Sequence, residues 1–203
     1  MKTSAALAPH LCVRLCAWTV MSTLCAVAQA VPQQITVLDP SGAPIEQAAV
    51  SVVVSGIKAQ GAGQTVAEMP QRDRMFKPNM VVIPVGGAVN FPNFDTVRHH
   101  VYSFSSTKKF EIKLYAGVPA KPVIFDKPGT ATLGCNIHDT MVGYVHVVDT
   151  PYYGKTDAAG KVTLELPPGE HALRIWTIGM GEMTSPAEFK LRVGAPVVHR
   201  VKQ

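Results

Sequence analysis

Cysteine is almost absent from the body of this 203-residue chain. Three of its four cysteines, Cys12, Cys16 and Cys25, fall near the start, and the remainder holds Cys135 alone. A single thiol excludes an internal disulfide framework and marks Cys135 as a reactive or ligating group. Charge is scarce too, with Asp, Glu, Lys and Arg making up 16% of residues. The basic excess is scattered, without runs of Lys or Arg, which excludes a nucleic-acid-binding face. Long apolar runs are also missing. The run Leu15 to Val27 is too short to cross a bilayer comfortably, so no membrane span is expected. No Ser/His/Asp set and no pair of carboxylates is placed for catalysis, so the chain is not expected to be an enzyme.

What is present begins with residues 1–30, which read as a secretory signal. Lys2 and Arg14 supply positive charge ahead of the apolar run, and Ala28-Gln29-Ala30 offers a small-x-small cleavage pattern. Lys2 and Arg14 leave with that segment, so 17 of the 19 basic side chains remain against all 14 acidic ones. The remainder is long enough for one large or two small cored domains. Gly and Pro, sixteen each, punctuate short β-branched runs, which predicts an all-β fold. Ile35 to Leu38, the turn residues Asp39-Pro40-Ser41-Gly42 and Ala48 to Val54 read as a first hairpin. Lys161 to Leu166 alternates polar and apolar residues between two turns, and His171 to Ile178 forms another strand. Gly56 to Gly63 reads as a linker or loop. His146, His171 and His199 read as exposed strand residues, Asp95 and Asp157 as turn residues, and Trp176 and Phe189 as core.

The stretch Leu133-Gly-Cys-Asn-Ile-His-Asp-Thr-Met141 places a thiol, an imidazole and a thioether at Cys-x2-His-x2-Met spacing. Soft sulfur donors beside imidazole form the ligand set that copper prefers. A second histidine from a distant strand would complete the two-His, one-Cys, weak-Met set of a blue-copper centre. The segment Arg98-His-His-Val-Tyr-Ser-Phe104 offers His99 and His100. Neighbouring strand residues face opposite sides, so one of the two faces such a site, and parity does not choose between them.

Residues 70–149 resemble a cupredoxin, a type 1 blue-copper protein of the amicyanin and plastocyanin kind. The runs that carry the likeness are FKPNMVVIPVGGAVNFPNFD, RHHVYSF and KPVIFDKPGTATLGCNIHDTMVGYVHVVD. Together they look like the exported cupredoxin-like proteins named for methylamine utilisation. Aligning His-His-Val with the family's His-Asn-Val implies that His99, Cys135, His138 and Met141 hold one copper ion. Amicyanin-like loops often carry Pro beside the loop histidine. Ile137, Asp139 and Thr140 stand there in this chain, implying a more polar docking face. VLDPSGAPIEQAAVSV and TDAAGKVTLELPPGEHALRIW resemble the two halves of a carboxypeptidase-regulatory-like, transthyretin-type sandwich. The implied organisation is a cupredoxin domain over 66–149, set into a small second sandwich built from 31–65 and 150–203. The implied function is a periplasmic electron carrier serving a redox partner such as a c-type cytochrome or a dehydrogenase. Copper binding or delivery without redox turnover, and a purely structural β-sandwich module, fit the same residues.

Overall fold

The computed structural model describes residues 29–59, 66–119 and 121–202. The expected signal segment lies outside them except for its last two residues, as does part of the expected 56–63 loop. The described chain is almost entirely β. In order, its strands are β1 Val31–Leu38, β2 Ala49–Val53, β3 Val66–Glu68, β4 Gln71–Arg72, β5 Met75–Phe76 and β6 Met80–Pro84. Then come β7 Ala88–Asn90, β8 His99–Ser103, β9 Phe110–Tyr115, β10 Val123–Ile124, β11 Gly129–Leu133 and β12 Gly143–Val148. Last are β13 Tyr152–Lys155, β14 Lys161–Leu166, β15 Glu170–Trp176, β16 Ala187–Arg192 and β17 Val197–Arg200. The helical content is one 3₁₀ turn, Ile178–Met180, so no helix among the described residues is long and apolar enough to cross a membrane.

The expected hairpin of Ile35–Leu38 with Ala48–Val54 does not form. β1 lies between β14, antiparallel, and β17, parallel, whereas β2 lies in another sheet between β13 and β15. The Asp39–Gly42 turn does bend the chain back, but only as far as a single bridge from Leu38 to Pro44. The chain then turns through Gln47, at φ 59°, and crosses to the other sheet. The cause lies in β2 itself. Its first four residues are all buried, which suits a central strand covered on both faces and not a half-exposed hairpin arm. The two sheets, β14-β1-β17 and β13-β2-β15-β16, enclose Ile35, Val37, Val50, Val52, Leu166, Leu173 and Ile175. Phe189 and Val197 pack against this core from β16 and β17, strands that the sequence reading did not anticipate.

A second apolar cluster gathers Phe76, Ile83, Val89, Phe91, Val101, Phe125, Leu133, Val145 and Val147. Its central strand is β12, antiparallel to β11 and parallel to β6. β6 and β7 flank Gly86-Gly87 but join different sheets, β7 pairing with β3 and β10. Cys135 and Met141 belong to this cluster, which sets the candidate ligands at its edge.

Trp176 departs from expectation. It is fully buried, but in a third cluster with Ala49 and Met80, flanked by Val82 and Tyr144, where β2 and β15 meet β6 and β12. Lys155 Nζ donates to Met80 O at 2.9 Å across the same seam. His146, expected at the surface, is 4% exposed. Its ring stacks on Trp176 with centroids 5.1 Å apart, and Nδ1 lies 2.9 Å from Thr130 Oγ1. An aromatic partner and a hydroxyl explain why an imidazole is buried there.

Burial pushes the His146 imidazole down from 6.5 to about 4. The unfolded chain therefore takes up this proton first, so stability present above about 6.5 drains away as pH falls toward 4. The loss is on the order of 3 kcal/mol. His146→Phe keeps a ring on Trp176 and removes the titration. Its urea-unfolding free energy should change less than the parent's between neutral pH and about 4. An unchanged pH dependence would place the acid sensitivity on other groups.

Candidate metal centre

Two segments distant in sequence meet at β8 and the loop that follows β11. Tyr102 N–H donates to Gly134 O at 3.1 Å and Gly134 N–H donates to Tyr102 O at 3.0 Å. This reciprocal pair ties the strand carrying His99 to the residue before Cys135. A Cβ at position 134 would stand 2.7 Å from Tyr102 Cζ, so any larger residue there would have to displace the Tyr102 ring. Beyond Cys135 the chain turns back on itself, Met141 N–H donating to His138 O at 2.9 Å, before β12 begins. The loop is thus the connection of an antiparallel hairpin, anchored at one end by β11 and at the other by β12.

These contacts bring three donors together. Cys135 Sγ lies 3.8 Å from His99 Nδ1 and 3.9 Å from His138 Nδ1. All three ligand atoms lie within 4.8 Å of one another. Two donors bound to one ion at about 2.0–2.3 Å stand roughly 3.5–3.8 Å apart, so the separations suit a shared ion. His99 and Cys135 are buried and His138 is half-buried. Met141 is buried in the same apolar cluster as Cys135, and both line one groove. Two imidazoles with one thiol are an intermediate and a soft donor type together, a set that fits copper. Of the two upstream histidines, His99 reaches Cys135. His100 turns instead to Glu111, its Nε2 2.9 Å from Oε1, where the β8–β9 register shifts between His99 and Val101.

Asp95, read from the sequence as a turn residue, has a second task. Its Oδ2 lies 2.7 Å from His99 Nε2, while Asp73 N–H and Arg74 N–H donate to the carboxylate at 2.7 and 2.9 Å. Partial burial pushes this carboxyl up, but the bonds from Arg74, His99 and Asp73 outweigh it and hold it below the usual range. A carboxylate on Nε2 leaves Nδ1 as the lone-pair nitrogen aimed at Cys135, which orients the ring for ligation. The signal available in sequence was the four-residue separation of Asp95 and His99, too common to single out. Tyr115, paired across the strand from His99, is also enclosed. Its hydroxyl donates to Phe91 O at 2.5 Å and accepts from Gln71 Nε2, and burial pushes the phenol up to about 12.

No protein-family model and no curated protein matches the chain. Solved structures do. A purple cupredoxin from Nitrosopumilus maritimus is 23% identical over 42% of this chain and all of its own, with a TM-score of 0.35. Amicyanin from Paracoccus versutus is 16% identical over 49% of this chain and 97% of its own, with a TM-score of 0.36. A copper-containing nitrite reductase from Thermus scotoductus is 25% identical over 57% of this chain but only 28% of its own length, with a TM-score of 0.37. The chain is similar to cupredoxins over about half its length.

Removing the Asp95 carboxylate frees the His99 ring and strips the 72–75 turn of its acceptor. Asp95→Ala is expected to weaken copper affinity about ten-fold or more. Competition against a chelator measures it, and an affinity equal to the parent's would show that His99 needs no such support.

Proposed function

We propose that the chain is an exported type 1 copper protein that carries single electrons between partner proteins, and not an enzyme. The observation supporting this reading is the buried thiol of Cys135 with two imidazole nitrogens at 3.8 and 3.9 Å. His99, Cys135 and His138 would hold the ion, and Met141 would add the weak fourth donor. Copper supplies a one-electron couple when bound. The chain's own contribution is positional. Asp95 sets the His99 ring, the Tyr102–Gly134 pair sets the sulfur, and the β11–β12 hairpin holds the loop bearing His138. Ligands fixed in this way shift little between oxidation states, which favours rapid electron exchange.

The proposal extends to organisation and place. The cupredoxin domain would comprise 66–149, within a regulatory-like sandwich made of 31–65 and 150–203. Two observations support it: separate apolar clusters fed by these segments, and the pairing of β1 and β2 with β14 and β15. The secretory character of residues 1–30 supports a periplasmic location, with a c-type cytochrome or a dehydrogenase as the kind of partner served.

Purification with added copper should give one ion per chain and an intense thiolate-to-copper visible band, lost in Cys135→Ser. His99→Ala should lose the band as well, and His100→Ala should keep it. Retention of the band without the Cys135 thiol would overturn the assignment, and colourless copper binding would favour delivery over electron transfer.

Met141 is tested by potential. A weak donor gives the oxidised ion little extra stabilisation. Met141→Gln, with a harder oxygen, should therefore lower the potential, and Met141→Leu should raise it, both keeping copper. Voltammetry that moved both variants in one direction would make Met141 a packing residue.

A further inference from the structure

The two most exposed large apolar side chains among the described residues are Met183 and Phe104, 88% and 77% exposed. They flank one polar cluster. Ser105 Oγ donates to Glu182 Oε2 at 2.6 Å, and Thr132 N–H donates to Ser105 Oγ at 2.9 Å and to Glu182 Oε2 at 3.3 Å. Glu182 follows the 3₁₀ turn that succeeds β15, so a segment of the C-terminal part reaches over to the strand that leads into Cys135. The Ser105 and Thr132 bonds hold its carboxyl below the usual range, which keeps it a negative charge fixed in place.

Beside this cluster runs a groove of about 490 Å³. Its walls include Tyr102, Phe104, Cys135, Asp139, Val142 and Glu182. The charged side chains lining it, Asp139 and Glu182, are both acidic, on a chain whose formal net charge is +5. Scattered exposed apolar residues need no explanation, but Phe104 lines this groove beside an anchored carboxylate whose chain neighbour is the exposed Met183, a mixed surface of the kind found at contact sites. Ile137, on the exposed part of the ligand loop, and Met183, next in the chain to Glu182, are not among its lining residues.

We propose that this groove docks a basic segment of a partner protein, with a Lys or Arg side chain between Asp139 and Glu182 and an apolar neighbour against Phe104 and Met183. The proposal rests on the electron-carrier reading and names the chemistry of the partner's contact face. Its place in the fold gives it meaning. The Tyr102 ring lines the groove, and Tyr102 is hydrogen-bonded through the main chain to Gly134, the neighbour of Cys135. A segment seated there lies against the sulfur side of the candidate centre.

The test uses the full chain, ¹⁵N-labelled and kept under reductant, titrated with acetyl-lysyl-leucyl-lysine amide and with its glutamyl counterpart. The lysyl peptide should shift the amides of Phe104, Ser105, Asp139, Val142, Glu182 and Met183, and added salt should weaken it. The glutamyl peptide should leave them in place. Asp139→Asn and Glu182→Gln should each weaken the lysyl peptide about three-fold. Asp139 makes no hydrogen bond through its side chain among the described residues, and Gln at 182 retains an acceptor oxygen, so both variants should fold. Shifts gathered elsewhere, equal binding of the two peptides, or indifference of both variants would overturn the proposal. Copper uptake is read separately from the visible band, so loss of the docking site and loss of the copper reading are told apart.

Discussion

The candidate centre depends on two main-chain hydrogen bonds, those exchanged by Tyr102 and Gly134. Neither side chain is a metal donor. The pair brings β8 to the start of the ligand loop although His99 and Cys135 are separated by the whole of β9, β10 and β11. Backbone pairing holds strands at a nearly constant spacing, so one reciprocal pair sets the separation of everything immediately beyond it. The Tyr102 ring fills the space a side chain at 134 would need. The same residue therefore supplies the bonds and occupies the space that glycine leaves open.

Burial makes the arrangement demanding. An imidazole and a thiol inside an apolar cluster lose water, and each polar atom needs a partner or a ligand. His99 meets that need on one side through Asp95, whose own oxygens are satisfied by two backbone N–H groups of the β4–β5 turn. Asp73 and Arg74 hold positive φ there, which turns both amides onto one carboxylate. A distant turn, a carboxylate and a ring thus form one chain of support ending at Nδ1. A ligand held through a rigid turn costs less to order on binding than one held by a free rotamer.

Legibility from sequence followed distance along the chain. Cys135, His138 and Met141 lie in one short loop, so their chemistry could be read as a spacing, and the all-β character followed from turn residues between β-branched runs. Long-range pairing could not be read so easily. The Ile35–Leu38 and Ala49–Val53 runs look like hairpin arms because a good turn joins them, but burial of β2 on both faces takes precedence over the local turn. His146 alternates correctly for an outward strand position and is buried because a second layer, bearing Trp176, covers that side. Asp95 could be read only as a turn residue and Glu182 not at all, because their partners, His99 and the Ser105–Thr132 pair, acquire meaning only once the strands are placed.

Trp176 and Glu182 show how the C-terminal segment bears on the centre without contributing a ligand. β15 ends at Trp176, whose indole N–H donates to Gly181 O at 3.1 Å and so fixes the short turn that follows. Glu182 is the next residue, and its carboxylate takes the N–H of Thr132, three residues before Cys135. From the stacked His146 ring to the Cys135 strand, the path is continuous: aromatic stack, indole bond, turn, carboxylate, strand edge. The edge N–H of Thr132 on β11 is thereby shared between Ser105 Oγ at 2.9 Å and the Glu182 carboxylate at 3.3 Å. The position of the ligand loop is consequently set from both sides, by β8 through Tyr102 and by the C-terminal segment through Glu182. A cupredoxin-like unit lacking residues beyond 149 would keep the first restraint and lose the second.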